Sequence, residues 1–255
     1  STAFIPARTI QAQETEGAPL DERDPFNLSI GQRPFVLPLT YDPLVAPFPI
    51  VQVSINGEEP LPFIVDTGFS GVMFISQQAA AKLNLKPSEN GRIRWMNDVI
   101  RLRHTSVRSV DVLCGEGKSP FIGLSDAVYI ADTDLGDLQT HVVGGVAGFM
   151  GVYVLCLATV QFDFAAKAMK IWTGPHPPLN IPGAITLPKR ANDNQSRHYV
   201  VCVSPQQGTS TDLLVDTGSY NTVVPAAVIE RLPTLGIVAG GHGAAYGNSL
   251  LIESR

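Results

Sequence analysis

The chain has 255 residues, with 18 Lys and Arg against 23 Asp and Glu, which gives a net charge of −5. Hydrophobic residues make up 44% of the chain, enough for a buried core, and 23 Gly with 20 Pro indicate many turns. This composition favours a β-rich protein over a helical bundle, and the acidic balance argues against nucleic acid as the main partner.

Cysteine and histidine usage predicts neither a metal site nor a cofactor. The three cysteines, Cys114, Cys156 and Cys202, are odd in number and far apart, so buried free thiols are expected. The five histidines are scattered and form no pair with zinc-ligand spacing.

The first part of the chain predicts an extended arm followed by a hairpin. Residues 1–44 show little periodicity and are assigned to an N-terminal extension, either a bland arm or a pro-segment. Residues 49–57 then alternate apolar and polar and end in Asn56-Gly57, a strong hairpin signal. Residues 62–65 run back as the partner strand and end at Asp66.

Three later segments are informative for the fold. Residues 92–112 are strand-like and rich in arginine, and alternation places the arginines on one face, which favours a solvated sheet face. Residues 142–160 carry no charge but are interrupted by glycines, so a buried core element is expected and not a membrane span. Residues 173–178 are rich in turns, and residues 177–198 are predicted to be a linker.

One motif occurs twice. Residues 63–70 read FIVDTGFS and residues 213–220 read LLVDTGSY, which places Asp66 and Asp216 150 residues apart. Each copy follows an apolar, β-prone run and precedes a short predicted helix, the first capped by Ser76 and the second beginning at Pro225. The chain therefore contains an internal repeat of strand, Asp-Thr-Gly, strand and helix.

These two motifs resemble the active-site loops of aspartic peptidases, the retropepsin-like and pepsin-like group. The resemblance extends to Phe149-Met150-Gly151, which is similar to the apolar-apolar-Gly element of that family's lobes. It implies an all-β fold with a few short helices, in which two related β-barrel lobes surround a central cleft. Residues 45–176 are assigned to the first lobe and residues 199–255 to the first half of the second, and the short lobes favour the bacterial, retropepsin-like type.

The resemblance also implies the chemistry and the site residues. Asp66 and Asp216 would form a catalytic dyad that shares one proton, activates a water and hydrolyses peptide bonds without a cofactor. The supporting residues would be those that follow in the two loops: Thr67, Gly68, Thr217, Gly218 and Ser219. The threonine hydroxyls would bond across to the opposite loop. Phe69 departs from the Ala or Ser usual there and makes the first loop bulkier and drier.

Residues outside the two motifs suggest a flap over the cleft. Trp95 and Met96, beside Asn90-Gly91, would contact substrate if part of the arginine-rich hairpin covers the cleft. Residues 240–247 are small and glycine-rich, and they place Tyr246 in a second loop suited to a flap tip.

The second lobe departs from the family pattern. Gly151 follows Asp66 by 85 residues, and the same spacing from Asp216 passes residue 255, so only the first half of this lobe is expected. A further segment or a second chain would complete it. The alternative to an endopeptidase is an inactive relative that binds extended peptides in the cleft. The family's habits and the absence of Met at position 1 favour a soluble periplasmic or secreted protein.

Overall fold

The computed structural model of the protein describes most of the first half of the chain and short parts of the second. The described residues are 34–42, 46–69, 71–88, 92–95, 100–115, 117, 128–132, 145–151, 155, 158–172, 200–203, 211–219, 237–239 and 252–254. The predicted linker 177–198, the predicted second helix, Met96 and Tyr246 lie outside the described residues.

The secondary structure of the described residues is almost entirely β, and the all-β prediction is confirmed. The first eight strands are β1 Phe35–Pro38, β2 Thr40–Asp42, β3 Ala46–Ile55, β4 Leu61–Asp66, β5 Met73–Ile75, β6 Arg92–Trp95, β7 Ile100–Thr105 and β8 Val110–Val112. The others are β9 Val128–Ala131, β10 Gly148–Gly151, β11 Thr159–Asp163, β12 Ala168–Trp172, β13 Val200–Val203, β14 Thr211–Leu214, β15 Ile237–Ala239 and β16 Ile252–Ser254. One α-helix, α1 Gln77–Lys82, lies among them.

The main sheet has nine strands in the order β2-β3-β4-β10-β5-β9-β7-β6, with β8 also paired to β3. Strand β10 lies between β4, to which it is parallel, and β5, to which it is antiparallel. The pairings among described residues leave this sheet open, so the predicted closed barrel is not what these strands form. The central position of β10 buries all four of its residues, which confirms the core prediction for this part of the stretch 142–160.

The β3–β4 hairpin forms where its turn residues require it. Asn56 and Gly57 have φ of 58° and 78°, the positive values that Asn and Gly tolerate best. The Glu58 amide closes the turn by donating to the Ile55 carbonyl at 3.1 Å. The predicted hairpin is therefore confirmed, and it delivers Asp66 to the end of β4.

Helix α1 is fixed by a local cap. The Ala79 amide donates to Ser76 Oγ at 3.1 Å, which satisfies one of the free N–H groups of the first turn. Ala79 and Ala80 face the sheet and are buried. The predicted cap at Ser76 is confirmed, and the helix covers the sheet just after the first Asp-Thr-Gly.

The side chains of β4 alternate between two hydrophobic clusters. Phe63 and Val65 belong to the larger cluster, which includes Met73 and Met150. Ile64 belongs to a smaller, aromatic cluster formed by Phe48, Ile50, Phe69, Phe74, Leu102, Ala131, Val146 and Phe149. Burial on both faces fixes the position of Asp66 relative to the rest of the sheet.

The remaining strands form three small sheets. Strands β1, β12 and β11 make one sheet, while β13 pairs with β14 and β15 with β16. Strands β1 and β2 come from the predicted N-terminal extension, yet they pair with β12 and β3 of the first lobe. The first strand among the described residues therefore begins at Phe35, inside the predicted extension. Among the described residues, no helix combines the length and the hydrophobicity that crossing a bilayer requires.

Candidate active site

Asp66 is a buried carboxyl held by its own loop. It ends β4 opposite Gly151 of β10, and 6% of its surface is exposed. Its Oδ1 accepts hydrogen bonds from the amides of Gly68 at 2.7 Å and Phe69 at 3.0 Å. Both bonds arise because the chain turns sharply after Thr67, which aims successive N–H groups back at the side chain.

Asp216 has a related loop in a more open setting. It follows β14, which pairs with β13 as β4 pairs with β3. Its Oδ1 accepts a hydrogen bond from the Gly218 amide at 2.8 Å, as Asp66 does from Gly68. Asp216 itself is exposed. The two copies of the motif thus have the same local hydrogen bond but different burial.

The two threonines join the loops by reciprocal hydrogen bonds. Thr67 Oγ1 donates to the Val215 carbonyl, and Thr217 Oγ1 donates to the Val65 carbonyl, both at 2.6 Å. Each hydroxyl also accepts from the amide of the other threonine, at 3.1 Å from Thr67 N and 3.0 Å from Thr217 N. Four hydrogen bonds therefore hold together two loops that lie 150 residues apart in sequence.

The glycines bring each carboxyl against the opposite loop. A Cβ added at Gly68 would lie 2.5 Å from Asp216 Cγ, and one added at Gly218 would lie 2.6 Å from Asp66 Oδ2. Any side chain at either position would collide with the carboxyl of the other copy. The two loops therefore face each other closely enough for the carboxyl groups to interact directly.

The electrostatics of the site follow from this proximity. Burial, the charge of Asp216 and a hydrogen bond with the Asp216 carboxyl together raise the pKa of Asp66 to about 7, and burial is the largest of these causes. The amides of Gly68 and Phe69 act in the opposite direction. Burial and a like charge prevail because a carboxylate in a poorly solvated place next to another carboxylate is strongly disfavoured.

Phe69 enters the core and does not line the space between the carboxyls. Its ring lies edge-on to Phe74 at a centroid distance of 5.1 Å, and Phe74 stacks on Phe149 at 4.8 Å. A Cβ at Gly151 would lie 2.6 Å from Phe69 Cδ1, so the glycine makes room for the ring. The aromatic cluster thus accommodates the large side chain of Phe69.

The structure adds groups that the sequence did not indicate. The carbonyls of Val65 and Val215 accept the threonine hydroxyls, and the Phe69 amide gives Asp66 a second donor. Backbone groups of this kind leave no signal in residue identity. The resemblance implied that the threonine hydroxyls bond across to the opposite loop, but it did not identify the backbone groups that receive them.

Four predicted site residues have less structural detail. Ser219 lies exposed in the turn after Asp216. Trp95 ends β6, while Met96 and Tyr246 lie outside the described residues. Among the side chains that the structure describes, no three of His, Cys, Asp or Glu come together as metal ligands.

Comparison with known proteins supports the class of protein that this site suggests. Residues 51–120, which include the first Asp-Thr-Gly loop, match the family model described as aspartyl protease. No curated protein matches the chain significantly. The match supports an aspartic peptidase in general, and the all-β architecture agrees with it.

Proposed function

We propose that the protein is an aspartic endopeptidase in which Asp66 and Asp216 form the catalytic dyad. The observation that carries this proposal is the reciprocal hydrogen bonding of Thr67 and Thr217, which holds the two Asp-Thr-Gly loops face to face. Two carboxyls so arranged can share one proton, and this arrangement supplies an acid and a base in the same site.

The unequal burial of the two carboxyls supports separate starting roles. Asp66 is buried with a raised pKa, so it holds the proton in mild acid, and we assign the role of the base to the exposed Asp216. Asp216 accepts a proton from water as the water oxygen attacks the peptide carbonyl carbon, and Asp66 donates its proton to the carbonyl oxygen. Proton transfer from Asp216 to the amide nitrogen then releases the amine, and the proton of the diol returns to Asp66.

The glycines and threonines contribute to catalysis by positioning the two carboxyls. Gly68 and Gly218 allow the approach of the carboxyls, and the threonine hydrogen bonds keep their relative orientation. Precise placement of reacting groups contributes a large part of enzymatic acceleration. The proposed substrate is a peptide or protein segment that lies extended across the dyad.

Finer features of the family assignment belong to the same proposal. We infer a retropepsin-like protein of bacterial type, whose second lobe is completed by a further segment or a second chain, and which acts in the periplasm or outside the cell. The exposure of Leu214 and Val215, at 47% and 39%, supports the inference about the second lobe, since their counterparts Ile64 and Val65 are fully buried.

Removal of either carboxylate tests the dyad. We expect Asp66→Asn and Asp216→Asn each to reduce kcat for peptide cleavage by at least about 10²–10⁴-fold, the typical contribution of a positioned acid or base. The measurement is cleavage of a fluorogenic peptide library in mild acid. Asp111→Asn in β8 makes the same chemical change away from both loops and should retain activity. Full activity in either loop variant, with the circular dichroism of the wild type, would refute the dyad.

A peptide-binding protein without activity is the second candidate, and the exposure of Asp216 favours it. A peptide mimic with a transition-state-like hydroxyl separates the two functions. A catalytic dyad predicts that this hydroxyl improves affinity and that the improvement is lost as pH rises through the titration of Asp66 near 7. Equal affinity for the mimics with and without the hydroxyl, at every pH, would favour the binding protein.

A further inference from the structure

The β6–β7 hairpin gathers four arginines at adjoining positions. Its register places Arg92 opposite Arg103 and Arg94 opposite Arg101. Residues directly opposite each other, and residues two apart in one strand, share a face of the sheet. We call the surface formed by these four positions the arginine face.

The other face of the same hairpin is apolar. Ile93 is opposite Leu102 and Trp95 is opposite Ile100. Leu102 is fully buried in the aromatic cluster that also contains Phe69, whose amide donates to Asp66. The hairpin is therefore anchored through this face to the core beneath the first Asp-Thr-Gly loop, while the arginines occupy the opposite face.

The structure describes the side chains of two of these arginines, and one of the two is neutralised. Arg103 forms an ion pair with Asp132. Arg101 is exposed and makes no ion pair with any residue that the structure describes. Like charges directly opposite each other destabilise a strand pair, so these positions favour an anionic partner. Their concentration is notable because the chain as a whole has a net charge of −5.

We propose that the arginine face binds acidic side chains of an extended segment of the polypeptide substrate, an inference that rests on the proposed peptidase function. Arginines two apart along a strand are separated by about 7 Å, which is also the spacing of alternate side chains in an extended peptide. Acidic residues at alternate positions therefore match the arginine positions best. Nucleic acid fits less well because the net negative charge of the chain repels a polyanion.

Binding of short peptides to the full chain tests this surface without cleavage. The probe is a fluorescent peptide with Glu at alternate positions, compared with its Gln counterpart, and the protein carries Asp66→Asn to prevent cleavage. We expect tighter binding of the Glu peptide, with an advantage that shrinks as salt rises from about 20 mM to about 500 mM. Arg101→Gln should reduce that advantage about two- to five-fold, and Arg94→Gln/Arg101→Gln should reduce it further.

Arg108→Gln is the matched control, because Arg108 is exposed but lies outside the hairpin. It should leave the preference for the Glu peptide unchanged. Equal effects of Arg101→Gln and Arg108→Gln would show that overall charge is responsible and would overturn the inference. Unchanged preference in Arg94→Gln/Arg101→Gln, together with new self-association of the chain, would also overturn it and would show that the arginines protect the edge strand β6.

Cleavage assays with the wild-type chain distinguish failure of the proposed peptidase function from failure of the arginine face as a binding site. If no peptide is cleaved but the Glu peptide binds through Arg101, the proposed function fails and the arginine face stands as a binding site. If peptides are cleaved at equal rates with Glu or Gln and bind equally, the peptidase stands and the arginine face fails.

Discussion

Asp66 and Asp216 show how one motif gives two different carboxyls. Both accept a hydrogen bond from the glycine two residues on, so the local sequence acts alike in the two copies. The side chain of Asp66 is buried in the main sheet, whereas Asp216 is exposed and follows a hairpin whose last residues are also exposed. The environment of Asp66, which is buried and lies beside Asp216, raises its pKa, whereas the hydrogen bonds of its own motif act in the opposite direction.

The raised pKa of Asp66 predicts a stability that falls with pH. Because the folded state binds this proton more tightly than the unfolded chain, whose value is 3.8, the free energy of unfolding decreases as pH rises from about 4 to about 7. The loss is at most about 4 kcal/mol. Urea unfolding across this range should show it in the wild type and not in Asp66→Asn.

Asp216→Asn provides the control for this prediction. It removes the neighbouring charge but leaves Asp66 buried, and burial is the largest cause of the shift. The pH dependence of unfolding should therefore become weaker without disappearing. The same slope in the wild type and in Asp66→Asn would contradict the raised pKa.

The two loops act as one element because each is hydrogen-bonded to the other. Each threonine hydroxyl donates to a strand carbonyl of the other copy and accepts from the other threonine amide. Loss of one hydroxyl leaves a carbonyl and an amide without their partners in a partly buried place. The cost of leaving such groups unpaired exceeds the net gain from a single bond.

Thr67→Val should lower the free energy of unfolding by about 1–3 kcal/mol and reduce peptide cleavage, since the relative position of the carboxyls is loosened. Thr67→Ser keeps the hydroxyl and should behave nearly as the wild type. Thr217→Val should cost about the same as Thr67→Val, and the double variant less than the two together, because loss of either pair of bonds already loosens the contact between the loops on which the other pair depends. Fully additive losses would show that the loops are held independently.

At the scale of the molecule, the two copies of the repeat are unequally packed. Strand β4 has β3 on one side and β10 on the other, whereas β14 has β13 as its one strand partner among the described residues. Ile64 is fully buried and its counterpart Leu214 is 47% exposed. The first copy therefore carries most of the packing energy around the site.

The unequal packing of the two copies predicts that equivalent substitutions lower the free energy of unfolding by very different amounts. Ile64→Ala should lower the free energy of unfolding by about 2–5 kcal/mol, because it leaves a cavity in the core. Leu214→Ala should change it by no more than about 0.5 kcal/mol, because its side chain is largely in water. Thermal or urea unfolding of both variants checks the comparison, and a large loss for Leu214→Ala would show that something covers this residue in solution.

The sequence predicts what is encoded locally. Asn56-Gly57, the Ser76 cap and the alternation in 49–57 each specify their element through contacts within a few residues, and each prediction is confirmed. The order of nine strands and the register of Arg92 against Arg103 depend on distant partners, which periodicity does not contain.

The site was predictable only in part for the same reason. The repeat indicated that Asp66 and Asp216 are equivalent, and the structure brings their loops together. Their unequal burial, and the course of the Phe69 ring into the aromatic cluster, depend on what packs around each copy. The catalytic roles of the two aspartates stay predictions, and the variants above test them.

The threonine bonds also bear on when the site can form. They connect Thr67 with Val215 and Thr217 with Val65, contacts that enclose more than half of the chain. Contacts between such distant residues carry a large loop-closure entropy and form late in folding. During synthesis, the first loop must therefore wait until the second has left the ribosome, and the proposed dyad cannot assemble on the nascent chain before that point.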